Sequence, residues 1–158
     1  MHLPSSYLYF LCYIVWSACD SEDAVPTNEG TQENSKENDE TMKDTITITV
    51  GNKVFKATLE ANATASLFKT MLPLTINMTE LNGNEKFFDF SNNLPTNASN
   101  PRTINSGDIM LWGSNTLVLF YKTFSTSYGY TRVGKIENPL GLADALGSGN
   151  IMVILELP

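Results

Sequence analysis

Alternation of polar and apolar positions begins at Thr45. In Thr45–Val50 (TITITV) threonine alternates with isoleucine or valine, the period of a strand with one face buried. Gly51 and Asn52 can supply the positive φ angles of a two-residue hairpin turn, and Lys53–Leu59 (KVFKATL) returns as a second strand. Residues 61–71 (ANATASLFKTM) read as a short helix capped by Asn62 or Thr64, with Leu67, Phe68 and Met71 on one face and Pro73 ending it. Strands follow at 74–78 and at 86–90 (KFFDF), with Asn82-Gly83 turning between them. Residues 104–108 (INSGD) read as a turn leading into a hairpin of 109–112 (IMLW) and 116–121 (TLVLFY) around Gly113-Ser114-Asn115. Residues 127–136 (SYGYTRVGKI) read as a longer strand, with Gly129 and Gly134 marking bulges or sharp curvature. Residues 139–146 (PLGLADAL) read as a second short helix, opening after Asn138 and ending at Gly147. Residues 151–157 (IMVILEL) form an apolar last strand, expected to be buried on both faces. About eight strands and two short helices in roughly 115 residues predict an all-β fold, a small closed barrel.

The region before Thr45 follows a different pattern. Residues 7–18 (YLYFLCYIVWSA) are apolar apart from Ser17. That run is short of the roughly 20 residues that a membrane-spanning helix needs, and it fits the core of a signal peptide. It ends in Ser17-Ala18-Cys19, which resembles the bacterial lipobox. The resemblance implies that Cys19 is lipidated and becomes the mature N-terminus, making the protein an exported lipoprotein of the cell envelope, on its periplasmic or surface side. Trp16 stands where that pattern has an aliphatic residue, and no Lys or Arg precedes the apolar run. An ordinary cleaved signal peptide is the other reading. Residues 20–44 have Val25 and Met42 as their only large apolar side chains, too few to offset the entropy of ordering the segment, so a disordered tether is expected. The group Asp20-Ser21-Glu22-Asp23 resembles the acidic export signal of surface lipoproteins of the Bacteroidetes, and a solvated linker accounts for it equally well. The expected organisation is a signal at 1–19, an acidic tether at 20–44 and the barrel domain at 45–158.

Charge sharpens this division. The chain carries a formal net charge of -7. Nine acidic residues and two lysines fall in 20–44, whereas 45–158 holds eight acidic and eight basic residues. No broad basic surface is implied, and nucleic acid is not expected as a partner. The histidine and both cysteines (His2, Cys12 and Cys19) precede the barrel. The barrel sequence thus excludes a Ser-His-Asp triad, a thiol nucleophile, a Cys/His zinc site and an internal disulfide. No cofactor or metal is expected. Glu60, Glu80, Glu85 and Asp89 show no paired spacing that points to acid–base work or a calcium loop.

Two groups remain as candidates for ligand contact. On a continuous strand, Tyr128, Tyr130 and Arg132 would share a face and offer stacking surface and donors to a carboxylate, a carbonyl or a peptide. The bland alternative packs the tyrosines on the barrel exterior and leaves Arg132 solvated. The loop 94–103 (LPTNASNPRT) is stiffened by two prolines and carries Arg102, which would frame an anion-binding cleft if it faced Tyr130 and Trp112. Trp112 itself lies in an apolar strand and is expected in the core more than on a ligand platform, and Asp108 is expected to bond turn amides.

The stretches 71–90, 106–121 and 124–146, with the opening hairpin, resemble the bacterial cyclophilin-like fold family across nearly all of 45–157. Gly107-Asp108-Ile109 and Trp112-Gly113 are the most diagnostic pieces. The resemblance implies an eight-stranded β-barrel of cyclophilin-like type closed by two short helices. The Phe-His-Arg and Phe-Met-x-Gln-Gly-Gly-Asp runs of true cyclophilins have no counterpart here, and fold does not carry function with it. The preferred expectation is an envelope-anchored module that binds a small molecule or a proline-containing peptide through Tyr128, Tyr130 and Arg132, touching the membrane only through its N-terminal anchor. The alternative is a divergent prolyl isomerase in which Arg132 or Arg102 hydrogen-bonds the substrate amide, chemistry that needs no proton transfer. A third reading, an accessory part of an envelope complex, requires a large apolar patch on the barrel exterior.

Overall fold

The computed structural model describes residues 44–158; Cys19, the signal segment and nearly all of the tether lie outside the described residues. Ten strands and two helices follow in chain order: β1 (Thr45–Val50), β2 (Lys53–Leu59), α1 (Ala63–Thr70), β3 (Leu74–Leu81), β4 (Glu85–Asp89), β5 (Thr103–Ile104), β6 (Asp108–Trp112), β7 (Thr116–Phe120), β8 (Phe124–Ser125), β9 (Thr131–Ile136), α2 (Leu142–Leu146) and β10 (Ile151–Glu156). Eight of these strands close into an antiparallel barrel in the order β1-β10-β3-β4-β7-β6-β9-β2, and β5 pairs with β8 as a separate two-stranded ribbon. Closure pairs every barrel strand on both sides and removes the exposed edges that an open sheet would present.

The barrel is built by alternation. Ile46, Ile48 and Val50 point inward from β1 and are fully buried. On β4 the inward positions are Lys86 and Phe88, so Glu85, Phe87 and Asp89 point out. The helix α1 starts where Asn62 Oδ1 accepts a hydrogen bond from the Ala65 amide at 2.8 Å, an N-cap that satisfies one of the orphan donors of its first turn. It buries Thr64, Ala65 and Phe68; Leu67, expected on the same face as Phe68, is exposed because it projects to the side of that stripe. Gly134 lets two strands close the barrel: a Cβ there would lie 2.6 Å from the Thr58 carbonyl oxygen on β2. Beside it the β6–β9 register shifts between Ile109 and Met110, a bulge that turns β9.

Several sequence expectations need correction. The strand read at 127–136 begins only at Thr131, because residues 126–130 run as a loop held to the 94–103 segment. The last strand is not buried on both faces: Met152 is 53% exposed, since nothing among the described residues covers that outer face of β10. The second helix is shorter than expected, opening after Gly141, while Asn138 Oδ1 takes the Leu140 amide in a preceding turn. The β5–β8 ribbon carries too little pattern in two residues per strand to be read in advance.

Two apolar clusters result. The larger fills the barrel. The smaller lies outside it, where Ile104, Met110, Val118, Phe120 and Tyr130 pack between the outer faces of β6 and β7 and the β5–β8 ribbon. At one end of the interior, Lys86 is fully buried and donates to Glu80, to the Gly147 carbonyl at 2.8 Å and to the Gly149 carbonyl at 2.6 Å. Three acceptors match the three protons of the ammonium. The contact ties the chain between α2 and β10 to the barrel rim.

Candidate functional site

The register of three strands builds a floor. Phe87 on β4 lies opposite Val118 on β7, which lies opposite Met110 on β6. One step along, Asp89 lies opposite Thr116, which lies opposite Trp112. The Thr116 hydroxyl donates to Asp89 Oδ1 at 2.6 Å and fixes that carboxylate. These positions all face out from the barrel, because side chains at i and i+2 share a face.

A wall rises from this floor along residues 124–130. Its first two residues are β8, paired with Thr103 and Ile104. The Thr126 amide donates to the Arg102 carbonyl at 2.9 Å, and Ser99 and Tyr130 exchange both backbone hydrogen bonds at 3.0 Å. Asn100 Nδ2 donates to the Ser127 carbonyl at 3.2 Å. The Phe120 ring meets Tyr130 edge-on at 5.5 Å and Phe124 at 5.8 Å, which anchors the wall to the floor. The loop 94–103 thus supports the wall from behind.

Between wall and floor lies a cavity of about 630 Å³, within the range of small-ligand pockets. Its aromatic lining is Phe87, Trp112, Phe124, Tyr128 and Tyr130, and its charged lining is Glu85 and Asp89. Hydroxyls of Thr116 and of the residues 125–127 add polar contacts. Trp112 and Tyr128 are 54% and 67% exposed at the rim, whereas Tyr130 is buried at the back. Burial pushes the Tyr130 phenol above its ordinary value, and the charge of Glu85 adds to the rise. The Glu85 carboxyl is itself raised, first by burial and then by the charge of Glu80.

The structure therefore gathers Trp112, Tyr128 and Tyr130 around one space, although Tyr128 lies outside β9 and the period-two argument does not apply to it. Trp112 does not stand in the core: the outer side of β6 at its end is left uncovered. Arg132 is exposed on β9 and Arg102 lies behind the wall, and neither lines the cavity. Arg102 has a positive φ of 64° and donates its backbone N–H to Asn100 Oδ1 at 2.7 Å. Asp108 is buried and its Oδ2 accepts the Asn105 amide at 2.8 Å, which shapes the turn before β6. Sequence reasoning did not single out Phe87, and it set Glu85 and Asp89 aside as carboxylates without a paired spacing for acid–base work or a calcium loop. The spacing of two that relates all three along β4 is visible in the sequence, but which face of β4 meets an unfilled space is not. Among the described residues no cluster of His, Cys, Asp and Glu has an arrangement that would hold a metal.

A model of the cyclophilin-like family matches residues 48–156. No curated protein matches the chain.

Proposed function

Starting from the fact that this chain belongs to the cyclophilin-like family, we propose that it is a ligand-binding module held at the bacterial cell envelope, with the cavity on the outer face of β4, β7 and β6 as its binding site. The observation that carries this reading is the 630 Å³ space lined by five aromatic side chains with exposed Trp112 and Tyr128 at its mouth. Aromatic surface of this kind gains from covering by a small molecule or a peptide. The lining offers no imidazole, thiol or guanidinium, which favours binding over prolyl isomerisation, since the arginine expected to stabilise a twisted amide is not at hand. Attachment through a lipid on Cys19, followed by the acidic segment 20–44, would hold the module on a membrane surface.

The test is an NMR screen of the isotope-labelled full chain in a mild detergent, against a library of small molecules and X-Pro peptides. Perturbed resonances are expected to cluster at Phe87, Trp112 and Tyr128, with no acceleration of peptide cis/trans exchange. Ligands that bind elsewhere would overturn the site, and faster exchange would replace the binding reading with isomerase activity. For the anchor, Cys19→Ala is expected to move the protein from the membrane to the soluble fraction, and unchanged attachment would end that part of the proposal.

A further inference from the structure

The cavity has a sign. Its charged lining is Glu85 and Asp89, and no lysine or arginine contributes to it. Among the described residues the ion pairs are Lys69 with Asp44 and Lys86 with Glu80, so neither cavity carboxylate holds a side-chain cation. Lys86, although next to Glu85 in sequence, points into the barrel, and Lys122 lies against the Tyr121 ring. The carboxylates are also spaced. They stand four residues apart on the outward face of one strand, and at the rise of a β-strand their backbones are roughly 13 Å apart. Between them the floor is apolar, with Phe87 and Val118, and the wall contributes Phe124 and Tyr128.

Carboxylates toward both ends, an apolar middle and exposed aromatic faces at the mouth describe the complement of one ligand shape. We propose that the cavity takes an elongated alkyl diammonium ligand, a linear polyamine, with one ammonium at Glu85, the other at Asp89 and the methylene chain laid over Phe87. This rests on the reading of the cavity as the binding site. Trp112 stands in the same cross-strand row as Asp89 and Thr116 and lines the same cavity, so that end also offers an aromatic ring whose quadrupole attracts a cation. At the other end Glu85 is half-buried and without a cationic partner, and a ligand ammonium would compensate its lost hydration. The two arginines on which the anion-binding expectation rested do not line this cavity.

The experiment titrates the full chain with three eight-carbon ligands matched in length: 1,8-diaminooctane, 1,8-octanediol and suberate. Calorimetry reads affinity, and NMR reads the Trp112 indole and the Glu85 and Phe87 amides. The diamine is expected to bind and shift these resonances, to weaken with added salt, and to lose about tenfold in affinity in each of Glu85→Gln and Asp89→Asn. Asp144→Asn, which removes the same charge from α2 outside the cavity, is expected to change nothing. If the diol or suberate binds the cavity as tightly as the diamine, the cation inference is overturned while the cavity remains the binding site. If the diamine leaves the cavity resonances unmoved although other library members shift them, the inference falls alone. If nothing from either set reaches the cavity, both readings fall. Retained spectra of the folded Gln and Asn variants separate loss of binding from loss of fold.

Discussion

The Tyr121 hydroxyl donates to both carboxylate oxygens of Glu80, at 2.9 and 3.0 Å, and Glu80 in turn accepts from the buried Lys86. Burial by itself would raise the Glu80 carboxyl, but hydrogen bonds from Lys86, Tyr121 and the Gly83 amide, with the charge of Lys86, hold it below its ordinary value. The group contributes stability above the unfolded-state value near 4.5, and that contribution disappears as pH falls through the lower folded-state value. Glu80→Gln is expected to lower stability at pH 7 by about 2–3 kcal/mol, because it leaves the Lys86 charge with carbonyl partners and a neutral amide. Urea unfolding at pH 7 and again at pH 3 is the check, and the difference between the wild type and the variant should shrink at pH 3.

The same network raises Tyr121. Burial first, then its hydrogen bond to Glu80 and the charges of Glu80 and Glu85, push the phenol up to about 12. A raised folded-state value means that stability present below pH 10 is lost as pH climbs toward 12. Spectrophotometric titration should show a phenol ionising well after the ordinary tyrosines, and Tyr121→Phe should delete that late step while lowering stability by about 1 kcal/mol.

Gly134 admits no side chain. Gly134→Ala would press a methyl group against the Thr58 carbonyl where β9 meets β2. Thermal unfolding is expected to report a loss of about 1–3 kcal/mol, the range of overpacking. An unchanged melting temperature would mean that the β2–β9 pair separates at no cost.

Arg102 gives the opposite sign. Its backbone sits at φ 64°, a region that glycine occupies without the side-chain clash. Arg102→Gly is expected to stabilise the protein by up to about 1 kcal/mol, less the unfolded-state entropy that glycine adds. It should leave ligand affinity unchanged, because the side chain lies outside the cavity lining.

Glu85 makes cation binding pH-dependent. Burial and the charge of Glu80 raise its carboxyl, so it protonates at a higher pH than a free glutamate would. The titratable groups around it are Glu80 on β3, Tyr121 after β7 and Tyr130 in the wall, and both phenols stay neutral through the acid range. Diamine affinity is therefore expected to fall on acidification as Glu85 protonates. In Glu85→Gln that step should vanish from a calorimetric pH series.

How much of this was legible beforehand depends on how local each cause is. The β1–β2 hairpin could be read residue for residue, because TITITV, the Gly51-Asn52 turn and KVFKATL each state their own period and their own stop. Asn62 could be named as one of two candidate helix caps, with Thr64, and Asp108 as a turn acceptor for the same reason: each bonds an amide three residues away. The aromatic character of residues 124–130 was equally plain in the sequence.

The cavity was not. It exists because β8 pairs with β5 some twenty residues back, because Ser99 reaches Tyr130, and because the β4–β7–β6 register sets Asp89, Thr116 and Trp112 in one row. Each of these is a long-range contact that no window of alternation encodes. Local pattern was enough for most of the barrel strands and their turns, for the absence of imidazole and thiol from residues 45–158, and for the supply of aromatic residues, but not for the β5–β8 ribbon or the true start of β9. That the arginines lie outside the cavity and that two carboxylates face it came from the folded arrangement, because a side chain's partner is set by strand pairing across the barrel and not by its neighbours along the chain.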